Sequence, residues 1–335
     1  MPTFCRHNRF IERCPICRQT LPGYEEQEPS ASASSPGASA AGTSSRRAPS
    51  GRAPRARGQR VGVSVRRELR ASDDGYRSSL LPGLRASADA QRLAEEIAFS
   101  SGRLLALGSQ PPGLYGDARA LAERDLERAT WACFLIAYFC PLEGSEPFAG
   151  IRMALASGRD ELVDLEGIPL GPRTSHEAAR GAETLRAYRA WAAQSGSQGR
   201  AFLGDASWSP QRRFARIFER LALPGLRRAA RYELLLLLGA LAIYELEPDG
   251  LHAAGAGAVS AGDATTLAAK RVFGIGDPIN LDRRAAALAR ALAVPVGALD
   301  LALANWGSDE RATLGFAPDT RDAAAFERAR QALGL

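Results

Sequence analysis

The sequence predicts an all-α fold, and three observations carry that reading. From about residue 80 onward nearly every segment reads as helix, alternating strand patterns are scarce, and several helices bring their own start and stop signals. A helix is expected to begin at Gly116-Asp117, to become wholly apolar from Trp131 to Cys140, and to stop at Pro141. An apolar run without a polar face marks a central helix buried on all sides. Cys133 and Cys140 lie within that run and are expected in the core. The following residues, 141–148, are expected to form the connection to the next helix. Ser209-Pro210 opens another helix by the cap-then-proline rule, and Pro224-Gly225 separates it from a third that contains Leu234 to Leu238.

Composition divides the 335-residue chain near residue 75. Residues 1–75 hold 13 arginines against seven acidic side chains, which accounts for the whole net charge of +6, because the other 30 basic and 30 acidic residues cancel. The expected organisation is a small knuckle over residues 1–20, a disordered Ser/Ala/Pro/Arg-rich linker over 21–75, and a helical domain over 76–335. Nine arginines between Arg46 and Arg70 give the linker a polycationic character that attracts any polyanion, while a solvated tether is the commoner meaning of such a run. The first residues lack the apolar stretch of a signal peptide. The apolar run Leu234 to Tyr244 is far short of the ~20 residues that span a bilayer, so no membrane partner and a cytoplasmic location are expected. The single lysine, Lys270, reflects an Arg-rich composition and is no argument for catalysis.

Cys5, His7, Cys14 and Cys17 lie within 13 residues in the order Cys-x-His, then Cys-x-x-Cys. Four soft or borderline ligands so close together suit one tetrahedral zinc with no open position, hence a structural site. A redox Cys-x-x-Cys pair and ordinary surface cysteines are the rivals. A reducing compartment and the added histidine favour metal. With only His176 and His252 elsewhere, a histidine-based metal or triad enzyme has little material.

The densest pattern runs from Val259 to Leu292. In Val259-Ser260-Ala261-Gly262-Asp263-Ala264-Thr265-Thr266 a small-residue turn feeds a helix through Leu267, Ala268 and Val272, and Phe273-Gly274-Ile275-Gly276-Asp277-Pro278 breaks it. Ile279-Asn280-Leu281-Asp282 then opens another helix, placing Asp282 20 residues past Gly262. That separation is similar to the one by which helix-hairpin-helix DNA glycosylases set a catalytic carboxylate beside a DNA-gripping hairpin. A hairpin ending at Gly262 can aim backbone N–H groups and a helix N-terminus at a phosphate, because glycine tolerates the backbone angles and the close approach. Ser260, Gly262, Asp263 and Thr265 are accordingly expected to contact DNA. Asp282 is the expected catalytic carboxylate, stabilising positive charge or taking a proton once the base is flipped out. The plainer reading is an N-cap for the helix Arg283 to Leu292. Arg213, Arg216 and Arg220 share one helical face by spacing and are followed by Arg227, Arg228 and Arg231. Such a group suits a DNA backbone, unless it is a solvated face paired with Glu219 and Glu233.

The glycosylase resemblance also indicates what is missing. Bifunctional members carry a nucleophilic lysine two residues past the hairpin glycine, and here that position is Ala264, so no Schiff-base lyase is expected. Lys270 lies six positions further on, and no Cys-rich iron–sulfur run follows residue 140.

The knuckle Phe4-Cys5-Arg6-His7-Asn8-Arg9-Phe10 with Cys14-Pro15-Ile16-Cys17, together with Phe273 to Arg284, resembles clade 3 of the alpha-glutamyl/putrescinyl thymine pyrophosphorylase family, a derivative of the DNA glycosylase fold. The resemblance implies a two-lobed helical core with the DNA cleft between the lobes. It also implies an enzyme that hypermodifies thymine: an amine from putrescine or an amino acid attacks the methylene carbon of a pyrophosphorylated 5-hydroxymethyl pyrimidine, and pyrophosphate leaves. Asp282 would deprotonate or position the amine, and the hairpin at Gly262 would hold the flipped nucleotide in duplex DNA. No Walker loop or acidic metal pair is present to receive pyrophosphate. Two other readings fit the same residues: a monofunctional glycosylase that excises a modified or damaged base, and a DNA-binding module without chemistry.

Overall fold

A computed structural model describes residues 71–156, 167–255 and 262–335, and every regular element among them is a helix. The chain divides into residues 1–65 and 66–335, and all twelve helices of the described residues belong to the second unit. They are α1 (Ser87–Ser109), α2 (Leu114–Ala122), α3 (Leu126–Phe139), α4 (Ala149–Ala156), α5 (Gly181–Gln194) and α6 (Gln198–Leu203), followed by α7 (Pro210–Arg220), α8 (Arg228–Ala240), α9 (Ala264–Phe273), α10 (Pro278–Leu292), α11 (Ala298–Trp306) and α12 (Ala323–Leu333). None is long and apolar enough to cross a membrane. The zinc knuckle and nearly all of the linker lie outside the described residues.

Local chemistry sets most helix ends. Ser209 caps α7 by accepting from the Arg212 N–H at 3.2 Å, and Pro210 fills the first helical position, where its missing N–H costs nothing. The long helix expected from Gly116 is instead two. α2 ends at Ala122, and Asp125 caps α3 by accepting from the Arg128 N–H at 2.9 Å. Every residue of α3 from Ala129 to Phe139 is buried, as expected of a central helix. Cys140 leaves the helix at φ 63°, and Pro141 prevents its continuation.

Two apolar clusters result. The first gathers α2 to α8 around a run of aromatic rings: Trp131 stacks on Phe134, whose ring lies 3.7 Å from that of Tyr188, and Trp191, Phe202 and Tyr244 extend the series. The second joins the N-terminal half of α1 to α9, α10, α11 and α12 through aliphatic side chains such as Leu93, Val272, Leu288 and Leu303. α1 serves both, with Ile97 in the second cluster and Phe99 and Leu107 in the first. Between them runs a seam of buried charge.

Candidate functional site

Arg228, the first residue of α8, is buried at the centre of that seam. Its Nε donates to Asp263 Oδ2 at 2.8 Å, Nη1 to the Leu251 carbonyl at 2.7 Å, and Nη2 to Asp300 Oδ1 at 2.5 Å. Asp300, from the first turn of α11, spends its other oxygen on Arg173 Nη2 at 2.8 Å. Burial opposes charge on Arg228, but Asp300 and Asp263 outweigh it and hold the guanidinium more firmly protonated than usual. For Asp300 burial likewise opposes ionisation, and Arg228 and Arg173 reverse the balance, so its pKa falls below the ordinary value. The result is a chain of two arginines and two aspartates that links the loop before α5 to the starts of α8, α9 and α11.

The same aspartate starts α9. Asp263 is its N-cap, accepting from the Thr266 N–H at 2.9 Å and the Thr266 hydroxyl at 2.5 Å, while the buried Thr265 donates its hydroxyl to the Asp300 carbonyl at 3.1 Å. Asp263 and Thr265, expected on DNA, are therefore engaged inside the fold. Gly262 is exposed and has no positive φ, and an added Cβ would meet nothing within 4 Å. Ser260 lies outside the described residues.

Asp282 neither opens nor caps its helix. The cap is Asp277, which accepts from the Asn280 N–H at 2.9 Å ahead of Pro278, and Asp282 follows in the second turn of α10. Its carboxylate turns onto the segment after α8, where the Ala253 N–H donates to Oδ1 at 3.3 Å. The close approach that needs glycine is at Gly250, where a Cβ would stand 3.1 Å from Asp282 Cβ and 3.3 Å from its Cγ. Burial raises the pKa of Asp282, and the Ala253 N–H and the nearby His252 offset this only in part. A carboxylate so placed is a stronger base than an exposed one.

His252 stands beside it at φ 52°, with ring centroids of Phe214 at 5.2 Å and Phe218 at 4.9 Å. Its Nε2 lies 3.2 Å from Asp249 Oδ1 without hydrogen-bond geometry. Burial lowers its pKa against the pull of Asp249 and Asp282, which keeps the ring neutral near pH 7.

The arginines expected to share an exposed face do not. Arg213 is buried and donates to the carbonyls of Leu203 at 2.8 Å and Glu245 at 2.9 Å, so it ties α7 to the end of α6 and to the segment after α8. Arg216 is exposed and paired with Glu219 at 3.2 Å, and Arg220 is exposed. Arg231 is buried, lies over the Phe218 ring at 4.5 Å, and donates to the Phe218 and Gly255 carbonyls. Glu233 pairs with the fully buried Arg103. Cys133 and Cys140 are core residues, and burial pushes the Cys140 thiol up to about 12, too high for a nucleophile near neutral pH. Among the described residues no three His, Cys, Asp or Glu side chains gather to hold a metal.

Residues 173–315 match the family model described as alpha-glutamyl/putrescinyl thymine pyrophosphorylase clade 3. The match covers somewhat under half of the chain. It begins at Arg173 and contains Arg228, Gly250, His252, Asp263, Asp282 and Asp300. Searches of the curated proteins and of the solved structures give no match.

Proposed function

We propose that this protein modifies a 5-substituted pyrimidine in DNA by a pyrophosphorylase-type transfer, with Asp282 as the catalytic carboxylate. The observation that carries the reading is the span of the family match, which takes in Asp282, its seat on the Gly250 to Ala253 segment, and the whole charged seam. The family's name supplies the substrate class, a thymine derivative joined to an amine.

In this reading the amine nitrogen attacks the methylene carbon of the pyrophosphorylated 5-hydroxymethyl group. The C–N bond forms as the C–O bond breaks, and pyrophosphate departs with that electron pair. The new ammonium gives its proton to Asp282, whose raised pKa and partial burial suit the role. Neutral His252 beside it offers a second proton carrier. DNA is held in a helix-hairpin-helix manner by the chain before α9, with the exposed Arg216 and Arg220 on the backbone and the base flipped out of the stack. Arg213, Asp263 and Thr265 are not assigned DNA contacts, since all three are already bound within the fold.

One structural zinc is assigned to Cys5, His7, Cys14 and Cys17, outside the described residues. Metal analysis of the purified full chain is expected to find about one zinc per molecule, and a trace content would remove the assignment.

The deciding experiment is nucleoside mass spectrometry on duplex DNA carrying 5-hydroxymethyluracil or its pyrophosphate, incubated with putrescine or glutamate and wild-type or Asp282→Asn protein. An Asp282-dependent mass gain with intact sugar and released pyrophosphate is the expected result. Asp282-dependent abasic sites with free base would make the protein a glycosylase. Equal products from both proteins would remove Asp282 from the chemistry.

A further inference from the structure

The guanidinium of Arg228 reaches three acceptors in three directions, and their positions in the chain are what matter. Leu251, whose carbonyl it holds, leads into His252 and Ala253 beside Asp282, and Asp263, whose carboxylate it holds, starts α9, while Asp300 anchors the same guanidinium to α11. Ala253, two residues past Leu251, donates its backbone N–H to Asp282 at 3.3 Å. One side chain thus ties the start of α9 to the stretch on which Asp282 rests.

We infer that Arg228 is the positioning residue of this site: it clamps Leu251 and Asp263 on one guanidinium and, through Leu251 and the two residues that follow it, sets the placement of Asp282. The inference rests on the reading of Asp282 given above. Arginine is required because its planar fork serves several acceptors at fixed angles, whereas a lysine ammonium is a point charge on a flexible stem. Stability alone does not account for the network, because buried ion pairs contribute little net stability compared with apolar residues of the same volume. Here two arginines and two aspartates occupy a seam flanked by two apolar clusters that would accept such residues. Geometry is the gain.

The test uses full-length protein carrying Arg228→Lys, Asp263→Asn or both. Asparagine caps a helix about as well as aspartate, so Asp263→Asn removes the ion pair and spares the start of α9. Hydrogen exchange needs no substrate, and Arg228→Lys is expected to speed exchange about tenfold in peptides covering 249–255 and 262–267, with α3 and α5 unchanged. Asp263→Asn is expected to give a smaller effect, about threefold, confined to the same peptides, and the double variant is expected to match Arg228→Lys alone. In the adduct assay kcat is expected to fall about tenfold with the KM for the amine within threefold of wild type. Unchanged exchange in those peptides, or an equal increase everywhere, would overturn the clamp. If Arg228→Lys does not fold, Asp263→Asn decides by the same criterion. Local loosening with unchanged kcat would overturn the positioning role. Wild-type protein that forms no adduct would defeat the reading of Asp282 instead, and the exchange arm would still decide the clamp.

Discussion

The two apolar clusters hold together by different means. The α2 to α8 cluster is built on large rings in contact, Trp131, Phe134, Tyr138 and Tyr188 among them, so each side chain there fills a shape that few others match. The cluster of α1 and α9 to α12 is aliphatic and rich in alanine, with Phe273 and Trp306 as its large buried rings. Helices faced with alanine approach closely and are specified less by any one side chain. The charged chain from Arg173 to Asp263 compensates, since it fixes α9 and α11 against α8 at defined angles. Aromatic shape positions one half, and ion pairs position the other.

The sharpest way to break that contrast is at the seam. Asp300→Asn leaves Arg228 and Arg173 buried without their shared carboxylate, and a loss of about 3–5 kcal/mol is expected in urea unfolding. A loss below about 1 kcal/mol would show that the seam is not what joins the clusters. Within the clusters, Phe134→Ala is expected to cost about 3–5 kcal/mol, and Leu288→Ala, at an equally buried aliphatic position, about 2–4 kcal/mol. Equal costs would erase the distinction between ring and aliphatic packing.

The two aspartates of the site have opposite linkages to pH. The folded pKa of Asp300 is depressed, so its stabilisation is complete above the ordinary value of 3.8 and is lost as pH falls through the folded value. Urea midpoints between pH 7 and 3 are expected to fall more steeply for wild type than for Asp300→Asn. The folded pKa of Asp282 is raised, so folding pays a penalty that is absent below 3.8 and grows until pH passes the folded value. Asp282→Asn is therefore expected to raise Tm at pH 7 by about 1–3 °C, to leave it unchanged near pH 3, and to abolish the adduct. A lower Tm at pH 7 would mean that the ionised carboxylate stabilises the loop it touches. The smallest effect is expected for Ser209→Ala, about 1 kcal/mol from the lost α7 cap, read as a small shift in the urea midpoint.

Helix starts were the most legible feature because their signals are local. Ser209-Pro210 marks α7 correctly, and the same rule applied to Asp277-Pro278 marks α10, which starts one residue before the Ile279 to Asp282 opening expected and whose cap stands five before the alternative cap at Asp282. Asp125 likewise carried the signal for the break between α2 and α3. The arginine face failed for another reason. Spacing says which side chains share a face, but not whether that face meets solvent, and the Leu203 and Glu245 carbonyls that hold Arg213 belong to the end of α6 and to the segment after α8.

By itself, then, the sequence determined the all-helical class, the buried central helix, the split of charge between the N-terminal region and the rest, and Asp282 as the residue to test. These depend on periodicity, caps and composition, all of which act over a few residues. Only the tertiary structure decided that Arg228 joins Asp263 and Asp300, 35 and 72 positions away, and that Gly250 packs against Asp282. A hydrogen bond within the fold and a contact with DNA ask for the same residue types at the same spacing. Burial chooses between them, and burial is set by segments distant in the chain.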